Sequence, residues 1–352
     1  MRDVAHVLGV SHTTVSLGLK NSPQLPAARR SEIQRVSEEM GYQPNSAAVA
    51  MSQFKQDSLT PPIQASLAWI NAWAKPEQLR QVPEFDRCWT GAEQTAGQFG
   101  YRLEEFVVND TLSMPRLASI LRARGVNGII IPPHYEFDTA AWSAFPWEDF
   151  SVVRIFRSMT AVPAHTVARD QTSNVNLALQ NARKRGYQRI GFIGINSLAH
   201  SATGTYLQAS ANLPPANRVR PLLLKSALDF GDQDKVEAWL EREKPDAVLT
   251  DQTRLSPILA KAGIRVPDDL GLVALSFDND STSACIDQRG VEIGRTAILE
   301  LLTLIRIHEQ GIPAIAKEIL IKSAWVEDDF LPFLKCSAAS ETLAVIDPAD
   351  GV

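Results

Sequence analysis

Cysteine is nearly missing from this sequence: Cys88, Cys285 and Cys336 stand far apart, with no CxxC pair. That excludes a disulfide scaffold and a cysteine zinc site, and it fits a reducing cytoplasm. No apolar run approaches the ~18–20 residues of a membrane helix, so no membrane partner is expected. The opening stretch, MRDVAHVLGVSHTTVS, has no positive segment followed by an apolar one, so no secretory signal is expected. The six histidines, at positions 6, 12, 134, 165, 200 and 308, lack metal-ligand spacing. GFIG at 191–194 falls short of a GxGxxG fingerprint, and neither GxxxxGK[ST] nor HExxH occurs. No metal and no cofactor are therefore expected. Acidic pairs such as Glu104-Glu105, Asp268-Asp269 and Asp328-Asp329 have the texture of solvated faces, so an enzyme is not expected either.

What is present is enough chain, 352 residues, for two or three domains of globular composition. The net charge of −5 is unevenly spread. Residues 1–56 carry Arg2, Lys20, Arg29, Arg30, Arg35 and Lys55 against Asp3, Glu32, Glu38 and Glu39, a balance of +2 that leaves −7 for the rest. A mildly basic head on an acidic body points the head at phosphate. In that head, Val4, Ala5, Val7 and Leu8 give a short apolar helix face that stops at Gly9. Ser11 is placed as N-cap of a second short helix over 12–19, with Val15 and Leu19 inward. A third helix is expected over 26–40, with Ile33 and Val36 inward and Gly41 closing it.

From residue 63 apolar runs alternate with amphipathic stretches. Strands are expected at 65–70, 103–108, 127–133 and 151–156, then at 189–194, 221–225, 246–251 and 270–277, with a closing strand at 319–325. Helical patterns fall at 90–99, 114–124, 175–185, 236–243 and 295–309. Alternation of this kind means parallel βαβ units. The expected fold class is an α/β core of two doubly wound parallel-sheet lobes behind a small all-α head. The tail from 336 to 352 has no clear period.

By spacing alone, a DNA-binding helix-turn-helix and an ordinary αα-hairpin stay equally open. The detail of DVAHVLGVSHTTVS, followed by GYQPN and an Ala-rich stretch, resembles the head and hinge of the LacI family of bacterial transcription regulators. The βαβ body and LIKSAWVED resemble that family's periplasmic-binding-protein-like core. The resemblance implies a helix-turn-helix head over 1–43, and a hinge helix and linker over 44–62. It implies a first core lobe over 63–162 plus 291–318, and a second over 163–290 plus 319–335. It also implies base reading from His12, Thr13 and Leu17, with Ser11, Thr14 and Ser16 at caps and phosphates. Leu17 stands where the family often has arginine; it cannot grip guanine with two hydrogen bonds, and offers only apolar contact. The hinge would begin near Asn45, and Met51 would be its minor-groove wedge; without the resemblance, Met51 is simply an apolar linker residue.

In open α/β lobes, ligands sit beyond the carboxyl ends of strands. Those ends carry Asn71, Trp73, His134, Arg157, His200, Asp251 and Asp278, a mixture suited to a polyhydroxylated ligand. The resemblance supports Asp278 most; a turn-capping Asp278 is the plain alternative. Residues 195–210 contain no arginine where the family brings one to its effector, so a ligand without an essential anionic group is expected. The whole implies a cytoplasmic homodimer, nucleoid-associated when on its operator. It would be a repressor of an inverted-repeat operator, controlled by a carbohydrate-like effector. A sugar-binding protein without regulatory action is the alternative.

Overall fold

Two six-stranded sheets divide the core of the computed structural model, and their faces follow directly from the period of the strands. The structure describes residues 2–11, 14–15, 17, 25–40, 63, 65–109, 111–134, 142–158, 161–195, 201–226, 230–252, 254–276, 284–326 and 331–334. The chain separates into a head unit up to residue 62 and a core unit from residue 63 onward.

The first sheet has the order β11-β5-β4-β3-β1-β2, from strands β1 (Ala65–Asn71), β2 (Tyr101–Val107), β3 (Gly128–Ile131), β4 (Ser151–Ile155), β5 (His165–Arg169) and β11 (Glu318–Ile321). All its pairs are parallel. Successive side chains point to opposite faces of a strand. Leu67 and Trp69 therefore join Ile130, Val153 and Val167 under the Pro83–Gln98 and Gly290–Arg306 helices. Ala68 and Ile70 join Ile129, Ile131 and Val152 under the Met114–Ala123 helix.

The second sheet has the order β12-β10-β9-β8-β6-β7, from β6 (Ile190–Ile195), β7 (Leu222–Leu224), β8 (Ala247–Thr250), β9 (Gly271–Ala274), β10 (Ala284–Asp287) and β12 (Ala324–Val326). Its edge strand β12 runs antiparallel to β10. Phe192, Leu249, Val273 and Ile286 pack beneath the Gln171–Lys184 and Ser201–Ala211 helices, and Ile193, Val248 and Leu272 beneath Gln233–Glu243 and Leu255–Lys261.

The lobe boundaries differ from those expected. Residues 165–169 lie in the first sheet, paired with β4, so the first crossover falls at Asp170 rather than at 163. The expected strand over 319–325 is two strands: β11 pairs with β5 in the first lobe and β12 with β10 in the second. The polar pair Lys322-Ser323 divides the two apolar segments, and the chain changes lobe there. Strands β5 and β10 escaped the sequence reading because each is short and lacks a continuous apolar run.

Several helices begin earlier than their apolar stripes, and in two of them the residue at the start accounts for it. Pro83 stands in the first turn of one, where its missing N–H costs nothing. Asp170 caps another, its carboxylate accepting from Ser173 N at 3.0 Å. The Gly290–Arg306 helix ends at Arg306 rather than 309. No described helix is long and apolar enough to cross a membrane.

In the head, helix Arg2–Leu8 stops where Gly9 takes φ +59°, and Val10 N returns a hydrogen bond to Ala5 O at 3.0 Å. Val4, Ala5 and Val15 pack with Ile33 and Val36 of the Ala27–Glu39 helix into one small core. Val7 does not join that core; it is 61% exposed, on the flank of the stripe formed by Val4, Ala5 and Leu8.

Candidate functional site: a helix-turn-helix head and a two-lobe cleft

Ser11 starts the second helix of the head. Its hydroxyl accepts from Thr14 N at 3.1 Å and lies 2.9 Å from the Thr14 hydroxyl, while Val15 N donates to Ser11 O. This satisfies N–H groups that the first turn would leave unpaired. Thr14, Val15 and Leu17 are helical. Val15 is the inward anchor, and Leu17 is half-buried on the same short helix. Arg29, near the start of the third helix, reaches Leu8 O at 3.4 Å and Glu32 at 2.6 Å, so it helps close the first helix. His12, Thr13, Ser16, Asn45 and Met51 lie outside the described residues.

In the core, the polar groups at the carboxyl ends of the first sheet are used by the fold itself. Asn71 is fully buried. Its amide donates to Pro76 O and to Glu105 Oε1, each at 2.9 Å, and its carbonyl accepts from Trp73 N at 3.0 Å. Trp73 Nε1 donates to Pro133 O at 2.8 Å. His134 is 1% exposed; Nδ1 donates to Pro132 O at 2.7 Å and Nε2 accepts from Ala72 N at 2.9 Å. These residues stitch the loops after β1 and β3 into a wall. The ligand-contact reading of Asn71 and His134 is therefore corrected to a structural one.

Burial lowers the His134 pKa to about 4, against the backbone hydrogen bond to Pro132, so the ring is neutral when folded. Because the folded value lies below the unfolded one, near 6.5, this neutral ring contributes stability above pH ~6.5 that is lost as pH falls toward 4. Urea unfolding from pH 7 to 4 should show that loss, and a His134→Gln variant should lose less over the same interval. Equal pH slopes in the two proteins would rule the effect out.

Arg157 follows β4, and its fork is occupied. Nη2 donates to Glu318 Oε2 at 2.8 Å, with Nε on the other oxygen. The hydrogen bond from Arg157 draws the Glu318 pKa down, and the same bond draws that of Arg157 up. Arg157 is thus a paired cation between β4 and β11. Asp251 follows β8, half-buried, and accepts from the Gln252 side chain. His200 and Asp278 lie outside the described residues.

The residue before Arg157 holds a device that no local motif announces. Phe156 adopts φ +64°, a left-handed conformation costly for a bulky side chain. Its N–H donates to Val167 O at 2.9 Å, and the Arg169 guanidinium covers its ring at 4.7 Å. Arg169 Nη1 also donates to both Glu84 oxygens at 3.0 Å and to Gln288 Oε1 at 2.9 Å. First-lobe strand β5 is thereby tied to the crossover that follows β10. The partners stand 85 and 119 residues from Arg169, beyond the reach of pattern reading. Among the described residues, no group of three or more His, Cys, Asp and Glu side chains could hold a metal ion.

Comparison with known proteins agrees with this geometry. Residues 1–45 match the family model described as bacterial regulatory proteins, lacI family. The HTH-type transcriptional regulator DegA of Bacillus subtilis (strain 168) is 23% identical over 288 residues, covering 79% of this chain and 80% of that protein. A transcriptional regulator CelR–cellobiose complex superposes with a TM-score of 0.56 at 18% identity, over 92% of this chain and 97% of the other. A lac repressor dimer bound to operator and the anti-inducer ONPF gives 0.56 at 19% identity, over 94% and 98%. The two-lobed core has the fold of these proteins.

Proposed function

We propose that this chain, which carries a LacI-family DNA-binding head on a core of the matching two-lobed fold, is a repressor whose operator binding is set by a small effector. The observation that carries the reading is the head: a family match over residues 1–45, and a second helix started by the Ser11 cap. His12 and Thr13 read base edges in the major groove, and Leu17 supplies an apolar contact. Thr14 and Ser16 meet phosphate. A homodimer places two heads on an inverted repeat, and the hinge that opens near Asn45 brings paired Met51 side chains to its centre. The protein acts in the cytoplasm, on the nucleoid.

The effector enters between the lobes, against Trp73, His200, Asp251 and Asp278. Cellobiose in the complex of one structural neighbour supports a carbohydrate-like class. Three crossovers, at Asp170, at Gln288-Arg289 and at Lys322-Ser323, are the hinge through which a ligand changes the lobe angle. A ligand that prefers one angle couples to the head by the same free energy with which operator couples back.

Selection of genomic fragments followed by footprinting tests the reading: the protected site is expected to be an inverted repeat. Met51→Ala should then bend that site less and bind it about 1–3 kcal/mol more weakly. Full bending and affinity in the variant would return Met51 to an ordinary linker role. Binding with no preference for any fragment would refute the regulator itself.

A further inference from the structure

Five buried side-chain atoms without hydrogen-bond partners belong to the first turn of the Gln171–Lys184 helix and to the segment at β12: Gln171 Oε1, both amide atoms of Asn174, Ser323 Oγ and Trp325 Nε1; Trp69 Nε1 and Tyr187 OH are others, placed elsewhere. Gln171 and Asn174 are three residues apart on the first turn of the Gln171–Lys184 helix, so they share a face. Ser323, just before β12, and Trp325 within it are two apart in extended chain, so they point to one side. Trp325 packs against the cluster that holds Val175 and Ala178 of that same helix. The helix follows a strand and returns along the second sheet, so its first turn stands at the carboxyl ends of the strands, the side that carries Asp251.

Asn174 is the sharpest case. It is 1% exposed, and neither its two N–H donors nor its carbonyl has a partner. An enclosed amide in this condition is destabilising, and such groups persist where something outside the chain completes them. Nearby, Asp170 already accepts from both the backbone and the hydroxyl of Ser173. The remaining set is neutral and supplies donors and acceptors together.

We propose that Asn174, with Gln171, Ser323 and Trp325, forms a hinge-side subsite that takes an uncharged hydroxyl-bearing group of a carbohydrate effector. The proposal rests on the effector-cleft reading above and adds to it a set of contacts for one uncharged part of the ligand. Gln171 adjoins the first crossover and Ser323 lies in the third, so a ligand seated here spans segments that move against one another when the lobes open. Opening is also what gives access to a group enclosed in the closed arrangement.

Thermal unfolding of the full chain, as wild type, Asn174→Ala and Asn174→Leu, tests this. Each protein is measured alone and with glucose, ribose, cellobiose, gluconate and ribose 5-phosphate. Without sugar, Asn174→Leu should unfold at or above the wild-type temperature, because an unpartnered amide has been replaced by an apolar group of similar size. At least one neutral sugar should raise the wild-type midpoint, and its affinity should fall tenfold or more in both variants. Equal shifts in all three proteins would overturn the subsite and leave a carbohydrate effector standing. No shift from any neutral sugar would overturn both. A lower midpoint in both variants without sugar would mean that bound water already completes the amide, and would overturn the subsite.

Discussion

Gly294→Ala should destabilise the core by about 3 kcal/mol or more, the upper end of what overpacking costs. The cause is the crossing of two helices, Pro83–Gln98 and Gly290–Arg306, over the first sheet. A Cβ on Gly294 would lie 1.9 Å from Cys88 O and 2.8 Å from Ala92 N. A Cβ on Gly91 would lie 2.0 Å from Val291 O, and one on Gly290 would lie 2.9 Å from Glu84 O. Each collision is with backbone, so no rotamer change relieves it. The helices would have to part, loosening Ile293, Ala297 and Cys88, all of which are fully buried. Gly97, on the same first helix, meets nothing within 4 Å, and Gly97→Ala should gain about 0.5–1 kcal/mol. Urea unfolding of both variants decides the matter, because helix propensity acts alike on both and close approach acts only on Gly294. Two variants with matching shifts would refute the packing account.

Operator affinity should fall by about a thousandfold when salt is raised from ~50 to ~200 mM. The cause is the uneven spread of charge along the chain. The head is weakly basic and the remainder of the chain carries −7, so attraction to DNA is confined to the head. If two heads neutralise about six phosphates together, the slope of log affinity against log salt is near −5, and a fourfold rise in salt gives the stated loss. Fluorescence anisotropy on a labelled operator measures it directly. A slope shallower than about −2 would show that phosphate neutralisation is not what holds the heads on DNA. The acidic body works in the same direction, since it gives non-specific DNA no second surface to grip.

The strands that sequence reading located are the ones with no ambiguity of face. Gly128–Ile131 and Ala247–Thr250 are buried along their whole length, and a run of Ile or Val has little else to become in an α/β chain. The strand at 165–169, HTVAR, mixes polar and apolar residues; its place in the first sheet comes from its pairing with β4 and β11. Gly290 and Gly294 are spaced one helical turn apart in the sequence, but nothing local says which backbone they approach. The cleft was legible in outline only. Placing polar residues at strand ends correctly found Asn71 and His134, and wrongly gave them to a ligand. Their partners, Glu105 and Ala72, lie 34 and 62 residues away. The head was clearer because a cap is a short-range event: Ser11 and Thr14 satisfy each other within three residues.

The order in which the chain visits its lobes has a consequence for synthesis on the ribosome. Most of the second lobe is one uninterrupted stretch, from Gln171 to Asp287, completed by the short edge strand β12 and by Leu331. The first lobe needs the Gly290–Arg306 helix to cover one face of its sheet, and β11 to finish the edge beside β5. Its opening strands therefore leave the ribosome more than two hundred residues before the pieces that cover them. At ~5–20 residues per second, that interval lasts roughly 10–50 s. Until the Gly290–Arg306 helix is made, Leu67, Trp69, Val153 and Val167 lie on a face that only the Pro83–Gln98 helix can cover, while most of the later lobe is already synthesised. The lobe of the core translated first thus waits longest for its remaining pieces, and its half-covered sheet is where a chaperone would have most to protect.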